Sequence, residues 1–433
     1  MINHTHDPAL RSWVPSAQHI GTDFPIQNLP HGVFRRRNQG ESFRGGVAIG
    51  DEILDMQSTV AAGVFSSAVL PAARAAARDL LNDLMAMGPA AWHGLRGELS
   101  RLLRTGAPEA DRLRDCLVPQ DQAEYAVAAR IGDYTDFFTS WQHMVNAGRV
   151  FNPDAPPLPN FRWLPIAYHG RASTVEISGA PVYRPAGQQR APGAEAPEFG
   201  PTRRLDYELE LAVWIGAGNP RGHAIQVDSA EQHVFGLGLL NDWSARDIQA
   251  WEAMPLGPFL AKNFLTSVSP WIVTMEALAP FRCALPRTAE DPPTLPYLHS
   301  PSLQGLDIQL EAALLTLRGG STEMPLSRSS FRHCYWSLAQ MVAHHTEGGC
   351  SLQSGDLFGS GTQSGPGDRE QGCLLELSRG GQQPIRLTNG EERRFLEDGD
   401  TVLLRAWAER DNAKRIGFGE CRGTVISYST TAS

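Results

Sequence analysis

The chain has 433 residues, a net charge of -9 and a pI near 5.8, with 42 glycines and 31 prolines. This length exceeds what one hydrophobic core usually holds and predicts two domains, while the many turn-forming residues favour a β-rich fold over a helical bundle. The acidic balance excludes a general nucleic-acid surface, so we expect no nucleic-acid partner.

The sequence also carries signals about the compartment. No apolar run approaches the roughly 18 residues of a membrane span, and the segment MINHTHDPALRSW has no apolar signal core. The six cysteines are scattered without a CxxC pair, which suits a reducing environment. We therefore expect a cytoplasmic protein that does not associate with a membrane.

Residues 1–118 form the predicted N-terminal domain. The stretch 43–56 indicates two short strands joined by a turn at Gly50-Asp51. The stretch 69–106 has apolar residues at helical spacing, interrupted at Gly88-Pro89. A small β-barrel-like unit with attached helices fits this pattern.

Residues 119–433 form the predicted C-terminal domain, in which short apolar strands alternate with glycine and proline turns. Helical patterns are few, and the two clearest follow Trp243 and Cys334. The clearest predicted strands lie at 306–320, 374–381 and 401–410.

The segment LDYELEL, residues 205–211, alternates apolar and acidic side chains as a β-strand does. Asp206, Glu208 and Glu210 share one face, and the apolar AVWIG that follows indicates a buried strand. Buried carboxylates at i and i+2, about 7 Å apart, repel each other. The acids either face water or surround a divalent cation, and the cation is the simplest explanation for a buried set.

A second acidic passage, IGDYTDFFTSWQH, spans residues 131–143. Aspartate at a turn usually bonds its own backbone, so we favour a structural role for Asp133 and treat Asp136 as the better metal ligand. His143 lies within ten residues of both acids. Histidine is the usual general base near neutral pH, which makes His143 a candidate for that role.

The passage HVFGLGLLNDWSARDIQAWE, residues 233–252, places Asp242 after an apolar run. Asp242 is either the N-cap of the following helix or a metal ligand, and Arg246 and Gln249 lie on one face of that helix. Together with the other three acids, Asp242 completes an all-oxygen set. Such a set suits Mg²⁺ or Ca²⁺ rather than Zn²⁺.

Three further residues stand out. Lys262 lies in an apolar segment of a chain whose only other lysine is Lys414, so it is either a snorkelling surface residue or an adjustable ammonium in a site. Thr362 belongs to a Gly/Ser/Thr loop that can offer donors to an anion. Glu376 lies in a predicted buried strand and needs a partner, for which His143 is plausible. For the adjacent pair His344-His345 we favour a structural role.

Taken together, these motifs resemble the fumarylacetoacetase family, over nearly the full length and in the same order. The matching segments are DFPIQNLPHGVF (23–34), IGDYTDF (131–137), YHGRAS (168–173), LDYELEL (205–211), NDWSARDIQ (241–249), PLGPFLAK (255–262), GDLFGSGT (355–362) and GFGECRG (417–423). The resemblance implies a mainly β (α+β) fold, with a small SH3-like N-terminal barrel and a larger C-terminal mixed β-sheet domain. It also implies a homodimer.

The resemblance further implies a site for hydrolysis of a carbon-carbon bond in a small-molecule β-diketone, fumarylacetoacetate in tyrosine degradation. It makes Asp136, Glu208, Glu210 and Asp242 the ligands of Mg²⁺ or Ca²⁺, with Mn²⁺ a further candidate. Lys262 and Thr266 lie near a second ion, and Asp206 is structural. His143 is the general base, oriented by Glu376. Arg246, Gln249 and Lys262 stabilise the oxyanion and hold the substrate, while Tyr168 and Thr362 line the pocket.

Three positions depart from the family pattern. Phe138 and Ala253 stand where the family usually has tyrosine, and Asn152 stands where it has arginine. The loss of hydrogen bonds to a substrate carboxylate costs about 1.5 to 3 kcal/mol each. We therefore consider, as an alternative, a less acidic or bulkier 1,3-dicarbonyl substrate, or another enolate reaction such as decarboxylation, tautomerisation, dehydration or carbon-carbon bond formation. A non-catalytic metal-binding dimer is a third hypothesis, which the complete set of catalytic residues disfavours.

Overall fold

The computed structural model of the chain describes residues 2–151, 154 and 156–429. It confirms the predicted fold class, a mainly β chain with a smaller N-terminal part and a larger C-terminal part built on curled sheets. Among the described residues, no helix combines the length and the apolar character needed to cross a membrane.

The N-terminal part contains a five-stranded antiparallel sheet in the order β4-β3-β2-β1-β5. The predicted hairpin is present, since β2 and β3 pair from Ile49 to Glu52 across Gly50-Asp51. Gly50 has a φ of +61°, which glycine adopts without strain. The strands are β1 (His31–Arg36), β2 (Arg44–Ile49), β3 (Glu52–Asp55), β4 (Leu117–Pro119) and β5 (Ala123–Ala126). We keep the division into domains near residue 118 as a proposal, and note that β5 lies just beyond it.

Short helices pack on this sheet, where the sequence pattern predicted them. Pro89 is the first residue of α4, a position at which the missing N–H of proline costs nothing. The predicted break at Gly88-Pro89 is present, and it is the point at which α4 begins. The helices are α1 (Met56–Ala61), α2 (Leu70–Ala76), α3 (Asn82–Ala86), α4 (Pro89–Leu103) and α5 (Ala110–Leu113).

The C-terminal part is built on two larger sheets that share one hydrophobic core. An eight-stranded sheet has the order β7-β6-β22-β13-β14-β16-β8, with β17 paired to β14, and a five-stranded sheet has the order β21-β20-β25-β26-β9. The strands are β6 (Tyr134–Phe138), β7 (Ile166–His169), β8 (Val175–Ile177), β9 (Val182–Tyr183), β10 (Ala186–Gln189), β11 (Glu198–Pro201), β12 (Leu205–Asp206), β13 (Leu209–Ile215), β14 (Val234–Asp242), β15 (Ser244–Ala245), β16 (Thr266–Val268), β17 (Val273–Thr274), β18 (Arg282–Cys283), β19 (Gly305–Leu306), β20 (Gln309–Leu315), β21 (Met324–Ser330), β22 (Leu357–Gly359), β23 (Ile385–Arg386), β24 (Glu392–Arg393), β25 (Thr401–Ala408) and β26 (Ile416–Ile426).

Two helices of the C-terminal part, which follow Cys334 and Trp243, lie where the sequence placed them. The helix predicted after Cys334 begins at a capping box in which Ser337 and Gln340 bond each other's backbone. The helix predicted after Trp243 begins at Arg246. The helices are α6 (Trp141–Phe151), α7 (Arg246–Glu252), α8 (Leu338–Glu347) and α9 (Leu374–Leu377).

Two predicted strands differ from the structure. The strand at 205–211 is split, because it forms β12 and β13 with Tyr207 and Glu208 between them. The strand at 374–381 is wrong, because residues 374–377 form the short helix α9. The Asp206 carboxylate accepts hydrogen bonds from the backbone N–H groups of Leu374 (2.7 Å) and Leu375 (2.9 Å). This distant aspartate satisfies the free donors of the first helical turn, a contact that local sequence does not reveal.

Candidate active site

A cavity of about 530 Å³ lies where β6, β13, α6 and α7 meet the loop after β22. It collects most of the residues that the sequence singled out. These are Asp136, Phe138, His143, Tyr168, Glu208, Glu210, Arg246, Gln249, Ala253, Lys262 and Thr362. Asp242, Thr266 and Glu376 lie directly behind this lining, bonded to residues that line it. Asn152 falls outside the described residues.

Sheet pairing explains how acids far apart in sequence meet. Asp136 on β6 pairs with Gly359 on β22, and β22 in turn pairs with β13, which carries Glu210. On the other side of β13, β14 ends at Asp242, which pairs with Thr266 on β16. Neighbouring strands therefore deliver the acids to one end of the eight-stranded sheet.

Oxygen atoms of Asp136, Glu208 and Glu210 lie within 4.8 Å of one another, and all three residues are buried. Two of these oxygens, Oδ1 of Asp136 and Oε1 of Glu210, have no hydrogen-bond partner among the described residues. Gly359 borders the cluster so closely that a Cβ atom there would lie 2.6 Å from Asp136 Oδ1 and 2.9 Å from Glu210 Oε2. The absence of a side chain at Gly359 leaves the space between the acids open.

Two cations neutralise one part of the cluster. Arg246 Nη1 lies 2.8 Å from Glu208 Oε1, and Lys262 Nζ bonds both Glu208 and Asp242, the latter at 2.7 Å. Burial opposes ionisation of Glu208, but Lys262 and Arg246 outweigh it and lower the pKa of that carboxyl. Burial likewise opposes the charge on Lys262, but Asp242 and Glu208 raise the pKa of its ammonium. Lys262 is therefore an internal ion-pair partner, and the reading as a snorkelling surface lysine is wrong.

The other part of the cluster lacks a cation. Burial, followed by the charge of Asp242, raises the pKa of Asp136 well above its usual range. Burial and the charge of Asp136 do the same to the pKa of Glu210. Unpartnered oxygens, an open space beside Gly359 and two carboxyls that resist ionisation together fit a divalent cation. An all-oxygen donor set is typical of Mg²⁺, Ca²⁺ or Mn²⁺.

His143 and Glu376 form a buried pair at the edge of the same cavity. Nδ1 of His143 lies 2.7 Å from Oε2 of Glu376. Burial opposes ionisation of Glu376, but His143 and further hydrogen bonds lower the pKa of its carboxyl. Asn146 Nδ2 (2.9 Å) and Cys373 Sγ (3.2 Å) donate two of those bonds, and Ser364 Oγ also donates to the carboxylate at 2.8 Å. The carboxylate can thus hold the histidine ring in one orientation.

His143 and Glu376 also form a second possible metal group with Cys373. Burial, and then the charge of Glu376, raises the pKa of the Cys373 thiol well above its usual range. A neutral thiol is a poor metal ligand, and Nδ1 of His143 is already engaged by Glu376. Of the two groups, the carboxylate cluster is therefore the better candidate for a cation site.

Asp206 joins the two halves of the site. Besides capping α9, its carboxylate accepts a hydrogen bond from Arg246 Nε at 2.9 Å. One buried aspartate thus positions both Arg246 and the helix that carries Glu376. This agrees with the structural role that the resemblance implies for Asp206.

Asp242 is the last residue of β14, and Ala245 occupies the N-cap position of α7. The reading of Asp242 as an N-cap is therefore wrong. Its two oxygens instead accept bonds from Thr266 Oγ1 at 2.9 Å and Tyr168 Oη at 3.1 Å, besides that from Lys262. Asp242 belongs to the network around the carboxylate cluster.

The remaining lining has a mixed character. The amide oxygen of Gln249 accepts from Arg246 Nη1 at 3.1 Å, which turns its NH₂ group away from that contact. The Phe138 ring packs edge-on against the His143 ring, with centroids 5.3 Å apart. Ala253 follows the last turn of α7, and Thr362 is buried. Phe138 and Ala253 give this side of the cavity an apolar surface.

Other predicted residues lie elsewhere. His345 bonds Thr135 and stacks on Phe358, while His344 bonds Tyr297, so neither lines the cavity. Asp133 is exposed, and its backbone N–H donates to Asp356. The two histidines have the structural role that the sequence favoured, and the role of the Asp133 side chain stays a prediction.

Sequence reasoning missed several contributors. The buried Tyr134 hydroxyl has no partner among the described residues and lies beside the carboxylate cluster, 3.0 Å from the Cβ position of Gly359. Asn146 and Ser364 hold Glu376. The position of Asn146, three residues after His143, was a usable signal, because side chains at i and i+3 are neighbours on a helix.

Comparisons with known proteins agree with this architecture. The family model described as Fumarylacetoacetase N-terminal matches residues 27–128, and the one described as Fumarylacetoacetate (FAA) hydrolase C-terminal matches residues 134–426, more than half of the chain. A fumarylacetoacetase from Oryza sativa subsp. japonica is 46% identical over 427 residues, covering 96% of this chain and 97% of that protein.

Two further comparisons point the same way. The fumarylacetoacetase of Homo sapiens is 44% identical over 421 residues, covering 96% of this chain and 98% of that protein. The solved structure of a fumarylacetoacetate hydrolase from psychrophilic Exiguobacterium antarcticum shares the fold, with a TM-score of 0.51 and 15% identity over 92% of this chain and 99% of that one. This chain belongs to the fumarylacetoacetase family.

Proposed function

We propose that this chain hydrolyses fumarylacetoacetate to fumarate and acetoacetate, as a step of tyrosine degradation. It is a hydrolase of carbon-carbon bonds in ketonic substances. The observation that carries the specific proposal is the buried pair of His143 and Glu376, which faces the same cavity as the carboxylate cluster and Arg246. A general base, a cation site and oxyanion donors thus converge on one space.

The hydrogen bond of the His143 ring determines which of its two nitrogens can act as the general base. Because the Glu376 carboxylate accepts at Nδ1, the proton of neutral His143 resides on that nitrogen. Nε2 is then free to take a proton from water. The resulting hydroxide equivalent attacks the ketone carbon of the fumaryl group, and a new carbon-oxygen bond forms.

Arg246 is the best-placed donor for the oxyanion that develops on that carbonyl. Its Nη2 is buried and has no partner among the described residues, while Nε and Nη1 are bonded to Asp206 and Glu208. The guanidinium is therefore fixed in place with one donor unused. The Gln249 amide and the Lys262 ammonium add positive potential on the same side of the cavity.

Collapse of the tetrahedral species breaks the carbon-carbon bond, and the electron pair passes to the acetoacetate carbon as an enolate. His143 returns its proton to that carbon, so one water is consumed and no other reactant is required. A divalent cation held by Asp136, Glu208, Glu210 and Asp242 would act as a Lewis acid on the ketone oxygens. We propose Mg²⁺ or Ca²⁺ for this place, with Mn²⁺ as a further candidate.

We do not carry forward the alternative of a redirected reaction. Its support was the change at Phe138, Asn152 and Ala253, and both relatives named above carry the name fumarylacetoacetase despite an identity of only 44% to 46%.

We further propose a homodimer in the cytoplasm. Met254, Leu256 and Phe259, beside the cavity mouth, are 85%, 96% and 68% exposed, an apolar patch that a second copy would cover. Light scattering of the wild type should give twice the mass of one chain. The variant L256E/F259E, which places charges in the apolar patch, should give the mass of a single chain. All six cysteines are free thiols, as expected in a reducing compartment.

Turnover tests the function directly. Purified protein with Mg²⁺ should consume fumarylacetoacetate, followed by loss of the diketone absorbance, and His143→Ala should not. A preference for an uncharged ester of fumarylacetoacetate over the free acid would contradict the proposed substrate.

A further inference from the structure

A second cavity, of about 770 Å³, adjoins the catalytic pair from the outside. The end of α6, the helix α9 and the segments around residues 368–371 and 379–386 form its walls. Four arginines line it, Arg149, Arg369, Arg379 and Arg386, against the acids Asp368 and Glu376. Because the Glu376 carboxylate is fully buried against His143, Asp368 is the acid available to offset the four positive charges.

None of these four guanidinium groups makes an ion pair, a side-chain hydrogen bond or a ring contact with any described residue. Arg393, by comparison, is bonded to Asp400 through two nitrogens. Arg369 and Arg379 also have positive φ angles of 59° and 49°, a backbone conformation that disfavours side chains larger than glycine or asparagine. All four arginines are exposed, so it is their concentration around one cavity, with two of them on a strained backbone, that indicates a site for an anion.

The cavity is connected to the catalytic pair through two helices. Along α6, His143, Asn146 and Arg149 follow one another at intervals of three residues, and Asn146 donates to Glu376. After α9, Arg379 follows Glu376 by the same interval. The two elements touch here, because a Cβ atom at Gly380 would lie 2.6 Å from Val150 Cγ1. An anion between Arg149 and Arg379 would therefore join the helix of the base to the helix of its carboxylate.

We propose that this arginine-lined cavity binds a dicarboxylate, which connects Arg149 to Arg379 and steadies the pair of His143 and Glu376. Planar guanidinium groups bind carboxylates through two parallel hydrogen bonds, and the cavity is larger than one carboxylate requires. The choice of a dicarboxylate rests on the proposed function, because that reaction releases fumarate. Arg149 and Arg379 are positioning residues, since neither touches the reacting atoms.

Binding of succinate, an unreactive dicarboxylate, tests the inference without any turnover. Calorimetry on the full chain with Mg²⁺ should show a site whose Kd rises at least 10-fold in Arg149→Gln/Arg379→Gln. The matched control is Arg221→Gln/Arg318→Gln, two exposed arginines outside the cavity, which should bind as the wild type does. A failed activity assay would leave these results unaffected, so the two proposals can fail separately.

Hydrogen exchange tests the connection to the catalytic pair. Succinate should slow amide exchange in residues 141–151 and 374–377 of the wild type and of the control variant, and have no such effect in Arg149→Gln/Arg379→Gln. Equal succinate affinity in the wild type and that double variant would overturn the site. Binding without slower exchange would overturn the connection, and sulfate binding as tightly as succinate would overturn the dicarboxylate class.

Discussion

Nδ1 of His143 lies 2.7 Å from Oε2 of Glu376, and both side chains are almost completely buried. The carboxylate also holds bonds from Asn146 and Ser364, so its orientation does not depend on the histidine. Glu376 is thus a fixed acceptor that selects one tautomer of the His143 ring. This arrangement gives His143 the free Nε2 that the proposed water activation needs.

Removal of either member should lower kcat, and His143→Ala should also lower the melting temperature because it leaves the buried Glu376 carboxylate without its histidine partner. We expect His143→Ala to reduce kcat by about 10²- to 10⁴-fold, the usual contribution of general acid-base catalysis, and Glu376→Gln by about 10²-fold. Steady-state kinetics and thermal melting measure the two effects. His344→Ala is the matched control, since that histidine bonds Tyr297 outside the cavity. If His344→Ala lost as much kcat as His143→Ala, the loss could not be attributed to the pair of His143 and Glu376.

Metal binding should depend on the carboxyls of Asp136 and Glu210, which have no cationic side chain to neutralise them. In Glu210→Gln, calorimetry should show Mg²⁺ affinity reduced by about 10-fold or more, because a charged oxygen ligand is lost. Without metal, the same variant should melt at a higher temperature than the wild type, since burial and Asp136 oppose the charge on Glu210. A lower melting temperature of metal-free Glu210→Gln would contradict the repulsion that we infer.

Gly359→Ala should block the cation site by shape alone. The added methyl group would lie under 3.0 Å from oxygens of both Asp136 and Glu210, closer than such atoms approach. We expect the variant to lose detectable Mg²⁺ binding and activity. Gly97→Ala, on an open face of α4, serves as the control because its Cβ position meets no atom within 4 Å. Normal Mg²⁺ affinity in Gly359→Ala would place the metal elsewhere.

Stability should fall in acid through His31. Complete burial, followed by the charge of Arg96, lowers the pKa of His31 from 6.5 to about 4. The unfolded chain therefore takes up a proton that the folded chain excludes, so this contribution is present above pH 6.5 and is lost as the pH falls towards 4. The full contribution of His31 to the free energy of unfolding is about 3 kcal/mol.

Urea unfolding at pH 7.5 and pH 5 measures this contribution. His31→Gln should lose less of its free energy of unfolding between the two pH values than the wild type does, by about 2 kcal/mol. The exposed His223→Gln is the control and should follow the wild type. An unchanged pH dependence in His31→Gln would exclude the histidine as the cause.

The sequence predicted features that depend on local pattern. The hairpin at Gly50-Asp51, the helical break at Gly88-Pro89 and the helix after Cys334 follow from side-chain chemistry within a few residues. Glu208 and Glu210 were also found, because buried carboxylates on a predicted strand require an explanation.

The features that escaped prediction depend on long-range contacts. Residues 374–377 read as a strand, but Asp206, far away in sequence, caps them as a helix. The role of Gly359 follows only from the pairing of β22 with β6 and β13. The unpaired arginines around Arg379 come together through packing of α9 on α6, which no local pattern encodes.

The most direct test is hydrolysis in water enriched in ¹⁸O. Fumarylacetoacetate, the wild-type protein and Mg²⁺ should give fumarate with one ¹⁸O atom in a carboxylate and acetoacetate without it, in equal amounts by mass spectrometry. His143→Ala should give neither product above background. Products other than this pair, or fumarate without the label, would contradict attack by a water that His143 activates.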